Sequence, residues 1–284
     1  MAKDYYNSNE IGEKIGLPGA GIIGIILGDQ LHPPMVNSKR IWKHGKNWEK
    51  GAVMCTKRLA DMAKLKKTDL LLDVGCGVGG PAIILARDYK CRIVGLNSSK
   101  LQLKTAKEKT KVASLENLID YVCGDAENLP FSSESFTCVW TFNMFYHIND
   151  KQSALEEFYR VLRYRGRLAF DDWVITERAT KRDIEQLQNN WMNKNWISDE
   201  ELKNNVLSIG LVLKKWQDFS HVGKGLMSKY FSAIFERDIK PKIIAIDKER
   251  GEHMADDFRK DVEHTIELYL ADKLRYIQFI ATKE

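Results

Sequence analysis

The chain has little of what would mark it as anything but a globular protein. Its six prolines among 284 residues leave no proline-rich linker. Five cysteines, at positions 55, 76, 91, 123 and 138, form no Cys-x-x-Cys pair, and no His-x-x-x-His accompanies them. Neither a zinc site nor a disulfide framework is indicated, and free buried thiols in a reducing compartment are the simpler reading. Long hydrophobic runs are absent: the most apolar stretch, Ile15 to Leu27, contains four glycines and a proline and falls short of the roughly 20 residues that a membrane span needs. The opening residues, Met1 to Glu10, are too polar for a signal peptide. Charge of one sign is scarce too, since 44 basic residues face 39 acidic ones, interspersed along the chain. The one dense basic run, Lys64-Leu-Lys-Lys67, reads as a solvated helix end, and no arginine-rich stripe carries interleaved aromatics. These absences exclude nucleic acid as the expected partner and stable membrane insertion as the expected state, and they predict a cytoplasmic protein with one large core. The sequence leaves a homo-oligomer open.

Short apolar runs and helical stretches alternate from residue 70 onwards. Leu70–Val74, Arg92–Leu96, Ile119–Cys123, Phe136–Trp140 and Arg167–Asp171 read as strands, separated by helices over Pro81–Tyr89, Lys100–Val112 and Lys151–Leu162. A further helix is predicted over Lys50–Leu65. This alternation predicts an α/β fold with a parallel sheet and helices on both faces. The rhythm then breaks: 177–208 and 224–273 read as helical inserts, with strands at 211–219 and 275–282. The inserts are natural material for a cap above the carboxyl ends of the strands, where open α/β sheets bind ligands. The chain therefore divides into a leader over 1–50 that suits a lid or arm, a cofactor-binding core over 51–176, and a remainder over 177–284.

The sharpest chemical signal is Leu72-Asp-Val-Gly-Cys-Gly-Val-Gly-Gly80, between the first strand and its helix. Glycines there let the backbone turn tightly and let a ligand approach without a Cβ in the way. Gly75, Gly77 and Gly80 also satisfy G-x-G-x-x-G, so a nicotinamide-dependent oxidoreductase has to be weighed. Asp73 argues the other way, because a carboxylate at the strand tip suits the ammonium and sulfonium of S-adenosylmethionine better than a pyrophosphate. Asn97 and Asp125-Ala126 end the next two strands, where polar side chains can hold a ribose and an adenine amino group. A catalytically silent cofactor-binding protein remains an alternative. A base-directed nucleic-acid methyltransferase is disfavoured, since the place after the fourth strand reads Asn143-Met-Phe-Tyr rather than Asn/Asp-Pro-Pro-Tyr/Phe.

With Gly124-Asp-Ala-Glu-Asn-Leu-Pro-Phe131, Phe145-Tyr-His-Ile and Tyr159-Arg-Val-Leu-Arg-Tyr-Arg-Gly-Arg-Leu168, residues 50–175 resemble the Rossmann-like S-adenosylmethionine-dependent methyltransferases of small molecules, the branch that includes ubiquinone/menaquinone biosynthesis. Gly-Leu-Asn-Ser-Ser99 with Gln102 is similar to sterol and tocopherol-type methyltransferases, and the closing strand to sarcosine and phosphoethanolamine N-methyltransferases. The resemblance implies a seven-stranded, mostly parallel sheet, S-adenosyl-L-methionine as cofactor and a small-molecule acceptor. It implies cofactor contacts from Asp73, Gly75, Gly77, Gly79, Asn97, Ser98, Gln102, Asp125, Ala126 and Asn143, with Tyr6 from the leader. Many members carry Asp or Glu at the place of Asn97. His147 is the candidate general base, because histidine titrates near working pH. Acceptor contacts are expected from Tyr5, His32, Tyr146, Asp172, Trp173, Trp191 and Trp196, with Asp171 also at the end of the fifth strand.

Overall fold

Capping explains where the helices begin. In the computed structural model, which describes residues 48–284 apart from 192–194, 223, 225–228, 230, 234 and 251–253, the first described element is α1 (Trp48–Met62), which leads to β1 (Leu70–Val74). Helix α2 (Gly80–Tyr89) starts with Pro81 in its first turn and ends on Lys90 in the left-handed conformation. After β2 (Arg92–Asn97), Ser99 caps α3 (Lys100–Val112) by accepting the amide N–H of Gln102. Strands β3 (Ile119–Cys123) and β4 (Phe136–Phe142) follow, then a single 3-10 turn, Phe145–His147. Asp150 caps α4 (Lys151–Val161) through the N–H of Ser153, and β5 (Leu162–Ile175) runs well past its expected ends.

The seven strands form one sheet in the order β3-β2-β1-β4-β5-β7-β6, where β6 is Leu211–Asp218 and β7 is Leu274–Lys283. β7 is inserted antiparallel between β5 and β6, and the pairs among the first five strands are parallel. The sheet is the expected seven-stranded, mostly parallel one. The first helical insert is two helices, α5 (Lys181–Trp191) and α6 (Asp199–Ser208). They divide the work. Leu202 and Val206 of α6 join Leu155 and Phe158 of α4 against Phe170 and Phe279 on one face of the sheet. On the opposite face Phe235, Ile239, Ile243 (in α7, Lys240–Arg250), Phe258 and Tyr269 (in α8, Met254–Leu270) pack with Leu59 of α1 over Trp140 and Tyr276. Both inserts thus supply core to the two faces. The segment Asn195–Ile197 reaches the carboxyl ends: Asn195 Nδ2 donates to the carbonyl of Asn149, and the indole of Trp196 stacks on Tyr146 at 5.6 Å. The leader, with Tyr5, Tyr6 and His32, lies outside the described residues.

At the amino end of the sheet Asp69 ties three strands together. It accepts the Thr137 hydroxyl at 2.8 Å and pairs with Arg167 at 2.6 Å, with its own side chain 1% exposed. Cys55, Cys76, Cys91 and Cys138 are buried and in no disulfide, whereas Cys123 is exposed. Among the described residues no helix is long and apolar enough to cross a membrane. Replacing Asp69 by alanine strands a mostly buried guanidinium and should cost about 3 kcal/mol of stability. Urea denaturation checks this, and a loss below about 1 kcal/mol, the scale of a surface pair, would show that the Arg167 pair does not hold the strands.

Candidate functional site

A cavity of about 590 Å³ opens above the carboxyl ends of the first four strands. Its lining comes from four successive loops: the glycine turn after β1, Leu96–Ser99 after β2, Cys123–Glu127 after β3, and Phe142–Asn149 after β4. Asp73, Gly75, Gly77, Asn97, Ser98, Gln102, Asp125, Ala126, Asn143, Tyr146 and His147 all border it. Residues spread over 75 positions of chain are brought to one surface because parallel strands deliver all their carboxyl ends to the same edge.

The glycine turn is set by backbone need. Gly75, Gly77 and Gly79 all have positive φ (73°, 53° and 82°), a region that costs an L-residue dearly. The N–H groups of Gly75 and Cys76 both donate to the carbonyl of Leu96, which closes the turn against β2. A Cβ on Gly75 would stand 2.1 Å from the Met144 side chain, so this glycine lets the loop after β4 settle on the turn. Gly79 answers a different demand. It does not border the cavity, and a Cβ there would meet the Tyr121 hydroxyl at 2.5 Å. Gly80, the third glycine of the motif, is simply the first residue of α2.

Asp73 sits at the foot of this turn, 2% exposed, and its Oδ2 has no hydrogen-bond partner. Burial pushes its carboxyl up to about 7. A carboxylate placed in a cavity wall without a donor is fitted for a cationic group, since pairing recovers the lost solvation. At the end of β2, Asn97 Nδ2 donates to Gln102 Oε1 at 2.6 Å, leaving the buried Gln102 Nε2 without a partner. These two amides offer both donors and acceptors to hydroxyl groups. Asp125 is exposed and forms a local turn, its Oδ1 accepting the Glu127 N–H at 3.0 Å.

The loop after β4 is more tightly held than its sequence suggests. Asn143 adopts φ 51°, donates its N–H to the Asp171 carbonyl at 2.7 Å, and has a buried Oδ1 without a partner. The rings of Tyr146 and His147 lie 3.9 Å apart. His147 is held down at about 3, first by loss of solvation and then by the charge of Lys151. The sequence expects an imidazole that titrates near working pH, and burial beside Lys151 moves it well below that range.

Several residues expected at the acceptor do not border the cavity. Asp172 is buried beneath the loop, its carboxylate taken by backbone N–H groups of Met144, Phe145, Tyr146 and Trp173. Trp173 packs edge-on against Tyr269 and Tyr276 in the core. Asp171 accepts from the Tyr276 hydroxyl and Gln278 Nε2 on the other face of the sheet, as alternation along a strand requires. Trp196 stands behind Tyr146 rather than in the wall, and the Trp191 side chain lies outside the described residues. Sequence reasoning missed Met144, Phe142, Cys76, Cys123 and Glu127 in the lining, together with Lys151 beneath it. One signal for Lys151 was available: a lysine opens α4, where the helix dipole disfavours a cation.

Residues 72–170 match the family described as "Methyltransferase domain". The chain is 40% identical over 127 residues to the sterol 24-C-methyltransferase of Eremothecium gossypii, which covers 45% of this chain and 34% of that protein. It is 34% identical, again over 127 residues, to the glycine/sarcosine/dimethylglycine N-methyltransferase of Actinopolyspora halophila, covering 45% of this chain and 22% of that one. The chain thus spans about a third or less of the length of these curated relatives. Among solved structures, the cyclopropane synthase MmaA2 of Mycobacterium tuberculosis superposes with a TM-score of 0.77 at 15% identity, over 92% of this chain and 93% of that one. That likeness concerns the fold. Residues 72–170 thus match a methyltransferase domain, and they bring the glycine turn, Asp73 and the three following strand ends to one cavity.

Proposed function

We propose that the whole chain is a cytoplasmic enzyme that transfers a methyl group from S-adenosylmethionine to a small-molecule acceptor held against the loop after β4. The observation that carries this reading is the buried, unpartnered Asp73 oxygen at the foot of the glycine turn. A pyrophosphate would meet that carboxylate as a like charge, whereas an amino-acid ammonium would meet it as a counter-ion. The nicotinamide reading is therefore the weaker one.

When bound, the cofactor supplies a methyl carbon already activated by a sulfonium. Asp73 would hold the ammonium, the Asn97–Gln102 pair the ribose hydroxyls, and Asp125 with Ala126 the adenine. The protein's remaining task is to align the acceptor and exclude water. Phe142 to Ile148 contains no charged side chain once His147 is neutral, so this wall favours an acceptor that is uncharged at its reacting atom. A neutral His147 accepts a hydrogen bond from the nucleophile and orients its lone pair. Relatives named for sterol and for glycine methylation carry the same core, and the acceptor of this chain is left at the level of a small molecule.

Two predictions follow from the charges. Only ionised Asp73 pairs with an ammonium, and in the free protein its carboxyl titrates at about 7. Affinity for S-adenosylhomocysteine should therefore rise by up to about tenfold per pH unit below 7 and then level off. Asp73→Asn should lose about 1.5–3 kcal/mol of binding, the worth of a hydrogen bond to a charged group, and lose the pH dependence as well. Calorimetric titration from pH 5.5 to 8 decides it, and a flat wild-type curve would remove the ammonium from Asp73. For His147, the lowered value means that the imidazole stays neutral as pH falls through 6.5. Turnover at saturating cofactor should then show no acidic limb near that pH. His147→Phe, which removes the accepting nitrogen, should lower turnover by about tenfold, the worth of one hydrogen bond, with cofactor affinity nearly unchanged. A wild-type limb with its midpoint near 6.5, absent from the variant, would make His147 a titrating base after all.

A further inference from the structure

The loop that carries Asn143, Tyr146 and His147 is fastened by two buried charges that do not line the cavity. A 3-10 turn leaves its first N–H groups without partners inside the turn, and Met144, at its start, provides no side-chain cap. Asp172 of β5 takes them instead. Its Oδ2 accepts the N–H groups of Met144 at 3.0 Å, Phe145 at 2.5 Å and Tyr146 at 3.3 Å, while Oδ1 accepts that of Trp173 at 2.7 Å. The opposite end of the turn exposes carbonyls. Lys151 of α4 donates to those of Phe145 at 3.2 Å and Ile148 at 2.8 Å. Asp172 is 1% exposed and Lys151 7%. The negative charge sits at the donor end of the turn and the positive charge at the acceptor end, as the backbone dipoles prefer. Glu127 and Asn195 finish the fastening at Asn149 and Asp150.

We propose that Asp172 and Lys151 are positioning residues for methyl transfer: together they hold the turn that presents Tyr146 and His147 to the acceptor. The proposal rests on the methyltransferase reading above, but its mechanical part does not. Burying two charges to fix eight residues of loop is costly, and a loop required only to connect β4 to α4 has no need of it. The titratable groups facing Lys151 are Asp172 from β5, Glu201 from α6, Glu127 from the loop after β3, and the neutral His147 ring of the turn itself. Burial lowers the ammonium, and the three carboxylates pull the other way, so that it settles at about 8 and stays charged at neutral pH.

The test compares wild type with Asp172→Asn, Lys151→Met and the double variant, all as the full chain. The first readout is amide hydrogen exchange by NMR. Exchange at Met144, Phe145 and Tyr146 should quicken by about tenfold or more in either single variant, local opening being the event it reports. Asp171→Asn, which removes a buried carboxylate from the opposite face of the same strand, should not quicken those amides selectively. The second readout is turnover of labelled S-adenosylmethionine with a metabolite extract, beside calorimetric affinity for S-adenosylhomocysteine. Turnover should fall by about 10–100-fold, the effect of a misplaced reacting group, while affinity changes by less than about threefold. The double variant should lose less than the product of the two single losses, because the two charges serve one turn. Unchanged exchange at the three amides overturns the proposal, as does an equal fall in turnover and affinity, which would signal a general loosening. If Asp172→Asn does not fold, Lys151→Met alone decides on the same criteria. A wild-type protein that binds no S-adenosylhomocysteine would defeat the methyltransferase reading, and the exchange comparison would still decide whether the two charges hold the turn.

Discussion

Removing three carboxylates from water at one edge of the sheet is the constraint around which the site is built. Asp73, Asp171 and Asp172 are all buried, and burial pushes each up to about 7. Their compensation differs, and so does their use. Asp171 is satisfied by Tyr276 and Gln278, and Asp172 by four backbone N–H groups, so both serve structure. Asp73 has an oxygen with no donor, which is the condition of a binding group. The sign of the cost is unusual. A carboxyl whose folded value lies above its unfolded one holds its proton longer in the native state, so each of the three withdraws stability as pH rises from about 4 through 7. The two cores on either face of the sheet offset that loss.

Geometry at that edge follows from parallel pairing. Asp73 lies in register with Gly95 of β2 and Trp140 of β4, so the three strands end together. The turn after β1 can then reach the carbonyl of Leu96, and the loop after β4 can press Met144 against Gly75. A glycine is needed on one side of that contact because a side chain is already on the other. Antiparallel β7 between β5 and β6 extends the sheet without adding a further carboxyl end beside the cavity.

The matched family segment ends at residue 170, just before the paired aspartates, and the curated relatives are named for acceptors as different as a sterol and glycine. A shared cofactor half and a variable acceptor half are what this architecture allows, since function resides in loops grafted on a constant sheet. In this chain the loop after β4 is backed by Asn195–Ile197, through the Asn195–Asn149 hydrogen bond and the Trp196–Tyr146 stack.

The sequence by itself determined the strands and helices of the core, because short apolar runs bounded by glycine and capping residues have few other ways to bury themselves. It also determined which residues would meet at one cavity: Asp73, Gly75, Gly77, Asn97 and Asp125 fall at successive strand ends, and the topology makes such ends neighbours. What it could not determine was direction. Asp171 and Asp172 read alike in the chain, yet strand alternation sends one to Tyr276 and the other beneath the Met144–Tyr146 turn. Trp173 and Trp196 read as acceptor walls, but Trp173 is core packing and Trp196 is a support for Tyr146. His147 reads as a neutral-pH base, whereas burial beside Lys151 lowers its imidazole below the range in which histidine ordinarily titrates. Side-chain direction and solvation are properties of the assembled neighbours, many positions away in sequence, and the tertiary structure alone decided them.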